Sequence, residues 1–149
     1  MQETNGNSQQ CSSSSSSAAQ SPPLFAHLPG AMRREIATAA TFIADTFLGQ
    51  PSSSGMKEQF TERLTHVLTV RYSSHWHPQR PWQGNAYRAL CWGKGGSHCQ
   101  DSSLKAAAAA CGLDLCRLLP DLVVWVDPQE VAAKIGEHGS VFEIEIVQR

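Results

Sequence analysis

The stretch "LVVWVDP", residues 122–128, limits the folds open to this chain more than any other. Five successive apolar residues with three β-branched valines read as a strand, and Asp127-Pro128 ends it. Side chains alternate along a strand, so Leu122, Val124 and Val126 point one way, and Trp125 and Asp127 the other. A carboxylate is not placed in a dry core without a partner. The strand therefore belongs to a sheet with one packed face and one open face. An exposed Trp ringed by polar groups has the character of a binding anchor.

Upstream the pattern is helical. Met32, Ile36, Ala39, Ala40, Ile43 and Phe47 recur every three or four residues, until Gly49 and Pro51 stop the helix. Phe60, Leu64, Val67 and Leu68 form a second stripe between Met56 and about Arg71. The short "PSSSG" link between them makes the pair an antiparallel hairpin. Residues 72–85 read as a loop on their prolines, Gly84 and Asn85, and Ala86–Trp92 as a strand. "SSLKAAAAACGL" predicts a helix capped by serine and closed by Gly112, and "LDLCRLLP" a shorter one. Pro128 and Glu130 predict a short helix over 128–135. "VFEIEIV" predicts a last strand with Phe142, Ile144 and Ile146 inward and Glu143 and Glu145 outward. The class is α+β, with two N-terminal helices and further short helices packed on a small antiparallel sheet.

Residues 1–30, "SQQCSSSSSSAAQSPP" at their centre, are too poor in large apolar groups to offset the entropy of ordering. They read as a disordered tail, and 31–149 as one domain. Net charge is −1 and no Lys/Arg-rich run occurs, which disfavours direct contact with nucleic acid. No secretory leader or membrane-spanning run is legible. The five cysteines, with no CxxC, read as reduced thiols of the cytosol or nucleus. His75, His77, His98, Cys99, Cys111 and Cys116 lack metal-ligand spacing, so no metal and no cofactor is expected. Nor is a catalytic site assembled around Cys91 and His75 or the scattered carboxylates. The aromatics concentrate instead: Tyr72, Trp76 and Trp92 as core, Trp125 as an anchor on the open face.

With these features the chain resembles the anti-proliferative family named for B-cell translocation gene and Tob proteins. "YSSHWHPQRPWQGNAYR", residues 72–88, is similar to the first signature box, and "LLPDLVVWVDPQEVAAKIGEHGS", residues 118–140, to the second. "MRREIATAATFIADTFL" is similar to the first helix, and the likeness runs from 32 to about 147. The chain departs from the family's usual pattern at His77, Gln79-Arg80 and Gln83. The resemblance implies helices around a small antiparallel sheet and a non-catalytic adaptor. Its implied partner is the Caf-type deadenylase subunit of the carbon catabolite repression–Not complex, with mRNA deadenylation, decay and slowed proliferation as the outcome. Tyr87, Trp125 and Asp127 are the implied contact residues, and cytoplasm and nucleus the implied location. The alternative implied role is a transcriptional co-regulator acting through DNA-bound factors.

Overall fold

The computed structural model describes residues 30–49, 54–93 and 99–147. The expected tail falls on residues 1–30, almost wholly outside this set, as do the first three residues of "PSSSG" and most of "GKGGSH". Helix α1 (Gly30–Phe47) presents Met32, Ile36, Ala39, Ala40 and Ile43 as one fully buried stripe. Helix α2 (Ser54–Tyr72) buries Phe60, Leu64, Leu68 and Tyr72, one residue per turn. The two run antiparallel: Lys57 Nζ meets Asp45 Oδ1 at 3.6 Å at one end, and Arg33 and Thr69 line a common groove at the other.

Then come α3 (Asn85–Arg88), β1 (Ala89–Trp92), α4 (Ser102–Ala110), α5 (Leu115–Leu118), β2 (Leu122–Asp127), β3 (Glu130–Ile135) and β4 (Val141–Glu143). The strands form one antiparallel sheet in the order β1-β2-β3-β4. Leu90, Val124, Ala133 and Phe142 stand in one cross-strand row, and the first three are fully buried against the helices. Trp92, Leu122, Val126 and Val131 complete that inner face. Each fully buried leucine or valine among them stabilises the fold by about 1.5–3 kcal/mol relative to exposure. Tyr72, Trp76 and Trp92 are core residues, as the sequence implies.

Several expectations are corrected. Residues 130–135 are strand β3, not a helix. Pro128 and Gln129 form a two-residue turn between paired Asp127 and Glu130, and backbone pairing with β2 outweighs the helix-start signals. Strand β1 begins at Ala89 rather than Ala86, because 85–88 close a helical turn. The cap of α4 is Asp101, not a serine: its Oδ1 accepts from Ser103 N at 2.8 Å and Leu104 N at 3.3 Å. The last strand spans Val141–Glu143, Ile144 N adds a bond to Val131 O at 2.7 Å, and Phe142 remains 41% exposed at the sheet edge, its ring against Phe42. Ile144 and Ile146 pack partly on the core.

The cysteines are not all free thiols: Cys91 and Cys99 are disulfide-bonded, their Cα atoms 5.6 Å apart. Gly93 N donates to Cys99 O and Asp101 N to Cys91 O, and this narrow ladder brings the two backbones together. Cys111 and Cys116 are free. Among the described residues no helix is long and apolar enough to cross a membrane.

Candidate partner-binding face

The outer face of the sheet is where the Trp125 strand departs from an ordinary core strand. Burial along β2 alternates strictly, with Leu122, Val124 and Val126 buried and Val123, Trp125 and Asp127 half-buried. In register, Trp125 lies between Ala89 of β1 and Ala132 of β3. Its direct cross-strand neighbours thus carry only methyl groups, and the indole stands above them.

Tyr87 lies on α3, just before β1, and is 57% exposed. Its ring stacks on His75, the centroids 4.0 Å apart and the planes 17° from parallel. The stack holds a wet phenol ring in one orientation, which lowers the entropy lost if a partner covers it.

Asp127 does not stand alone. Its Oδ1 accepts from Arg88 Nη2 at 2.6 Å and from Arg88 Nε at 3.1 Å, leaving Oδ2 clear of that guanidinium. Arg88 is fully buried, while the Asp127 side chain is 25% exposed. The same arginine donates to His75 O at 2.6 Å, Gln83 O at 2.8 Å, Pro81 O at 2.5 Å and Val126 O at 3.0 Å. One guanidinium thus ties the 75–83 loop to the end of β2. Its planar fork suits many acceptors at once in a way an ammonium does not. Trp76 packs near it, with the guanidinium carbon 5.7 Å from the ring centroid.

Two further features keep this end of the sheet fixed. Tyr72 Oη donates to Arg88 O at 2.9 Å, and burial pushes that phenol well above its ordinary pKa, so it remains a neutral donor. Gly84 takes φ +78° at the entrance to α3, where a Cβ would meet Arg88 Nη1 and His75 O at 3.3 Å each. Only glycine fits there without strain.

The structure therefore brings Tyr87, Trp125 and Asp127 to one end of the sheet. Tyr87 is solvent-facing, Trp125 is half-buried on the outer face, and the carboxylate is half engaged by Arg88. Sequence reasoning missed Arg88, His75 as a stacking partner, and Trp82. Strand alternation gave no sound signal for Arg88, because residue 88 closes the helical turn 85–88 and lies outside β1. Among the described residues, no group of three or more His, Cys, Asp or Glu side chains is placed to hold a metal ion.

Comparison with known proteins agrees with this architecture. A solved Caenorhabditis elegans FOG-3 BTG/Tob domain superposes with a TM-score of 0.57 at 24% identity, covering 78% of this chain and 83% of that one. Human Protein BTG1 is 38% identical over 112 residues, 72% of this chain and 63% of its own length. Human Protein BTG2 is 35% identical over 115 residues, 74% of this chain and 70% of its own. The match thus spans less than two thirds of Protein BTG1. The BTG family model matches residues 32–145, which include both helices, the Arg88-held loop and the Trp125 strand, and the chain belongs to the BTG/Tob family of anti-proliferative proteins.

Proposed function

We propose that this chain is a non-catalytic anti-proliferative adaptor. It docks the Caf-type deadenylase subunit of the carbon catabolite repression–Not complex through Tyr87, Trp125 and Asp127. Recruitment of the nuclease then shortens poly(A) tails and promotes mRNA decay, in cytoplasm and nucleus. The observation that carries this reading is the placement of Trp125 between two alanines on an open sheet face, at the same end as an exposed, stacked Tyr87. Rigid aromatics with polar surroundings are the usual anchors of protein interfaces, and they need no cofactor. Asp127 contributes a carboxylate already oriented by Arg88, so its free oxygen meets a donor with little reorganisation.

The test is binding of the purified chain to the purified deadenylase subunit. Trp125→Ala is expected to weaken it by about 30-fold or more, the effect of losing ~2 kcal/mol at an anchor. Because the ring is partly buried on the outer face, the variant should still fold, with unfolding stability lower by about 1–2 kcal/mol. Tethered to a reporter mRNA, the wild-type chain should accelerate poly(A) loss and Trp125→Ala should not. Unchanged tail length with altered promoter output would instead favour co-regulation through DNA-bound factors.

A further inference from the structure

Trp82 is the most exposed large apolar side chain among the described residues, at 70%. The tryptophans that serve the fold are enclosed: Trp76 is 9% exposed and Trp92 4%. An indole left in water forgoes a large burial, and nothing in the 77–87 loop covers it.

The backbone beneath it is nevertheless fixed. Residues 80–83 form a turn with Gln83 N donating to Arg80 O at 2.9 Å, and Asn85 N reaches Trp82 O at 3.4 Å. The carbonyls on either side, Pro81 O and Gln83 O, are both held by Arg88. Arg88 Nη2 donates to Pro81 O and to Asp127 Oδ1, so those two oxygens lie within reach of a single nitrogen. The base of Trp82 is therefore one residue from the group that orients Asp127, and five residues before Tyr87. Its backbone thus adjoins the Arg88 clamp at the Tyr87–Trp125–Asp127 end of the sheet.

We propose that Trp82 is a third aromatic anchor of this face and seats in an apolar recess of the same deadenylase subunit. The inference rests on the function proposed above. Gln79, Arg80 and Gln83, in the same loop as Trp82, are exposed polar residues, and residues 77–87 contain no carboxylate. The partner surface facing it is accordingly apolar at its centre, with neutral or acidic groups opposite Arg80. A ring whose backbone is already ordered loses little freedom on docking, so its burial goes mainly into affinity.

The experiment measures affinity for the purified deadenylase subunit with the full chain and its Trp82→Ala, Trp82→Phe and Trp125→Ala variants. Trp82→Ala should lose at least about tenfold in affinity with an unchanged unfolding transition, and Trp82→Phe should retain most of it. The difference in fluorescence between the wild-type chain and Trp82→Phe isolates this indole. Addition of the subunit should protect it from acrylamide quenching. Loss of binding in Trp125→Ala but not in Trp82→Ala overturns this inference and leaves the proposed function standing. Absence of binding by the wild-type chain overturns both. Protection of Trp82 by polyadenylated RNA, and not by the subunit, also sinks the inference.

Discussion

Arg88 enters the head of β1 with none of its side chain exposed, holding Asp127 and four carbonyls, whereas Arg71 at the end of α2 is 26% exposed and holds Asp101 at 2.7 Å. Arg71 also reaches Ser103 Oγ at 3.1 Å and Ala89 O at 3.5 Å. Asp101 caps α4 and bonds through its own N–H to Cys91 O. Both arginines tie β1 to something else. The difference is what they tie: Arg71 joins α2, α4 and β1, all parts of the packed core. Arg88 joins a loop to a strand end, and the residues it orders carry their aromatic rings outward. A fully desolvated cation is a costly way to stabilise a fold, since attraction barely offsets desolvation. Under the proposed function, that cost goes into holding Asp127 and the Trp82 loop in place.

The comparison breaks most readily at Arg88. Arg88→Met leaves Asp127 without its cation and four carbonyls without a donor. We expect a loss of about 3–5 kcal/mol in urea unfolding, the range for removing one member of a buried pair. Arg88→Lys should recover only a minor part, because one ammonium cannot span five acceptor groups. Adding Asp127→Asn to Arg88→Met should restore part of the stability and none of the partner binding. Equal costs for Arg88→Met and Arg71→Met would erase the distinction between the two clamps.

Asp101→Ala tests the other clamp. It removes a helix cap and the largely buried pair with Arg71, so the expected cost is about 2–3 kcal/mol by thermal or urea unfolding. A cost above that of Arg88→Met would place the greater stabilising role at the wrong end of β1.

Much of this was legible in the residues. The stripes of α1 and α2 and the alternation of β2 are periodic and apolar, and packing enforces that periodicity directly. Residues 130–135 were not legible. Pro128 and Glu130 are equally good as helix starters and as turn residues, and only the register with β2 decides between them. The open face was legible at Trp125 and Asp127 because alternation is a geometric rule. Arg88 was harder, since its partners Pro81, Gln83 and Val126 contribute backbone carbonyls, which every residue type has. Trp82 was obscured for a related reason: exposure of a loop residue depends on tertiary packing, and no local pattern encodes it.

The smallest effect concerns the turn just beyond Asp127, where the Arg88 end of the sheet meets α1. Gln129 adopts φ 71°, the left-handed region that favours glycine, after a proline at the preceding turn position. Its N–H donates to Glu35 Oε1 at 3.0 Å, and Glu35 is 2% exposed on α1. A buried carboxylate from the first helix thus holds a strained residue next to the strand that carries Trp125. Gln129→Gly keeps the donated N–H and relieves the positive φ, while the unfolded chain gains freedom that opposes the benefit. The net expectation is a stabilisation of about 0.5 kcal/mol, read as a small rise in unfolding midpoint, with deadenylase affinity unchanged. A destabilised variant would mean that the Gln129 side chain itself helps hold the turn. Stability gained with affinity lost would mean that the strain is part of how the Arg88 end is shaped for its partner.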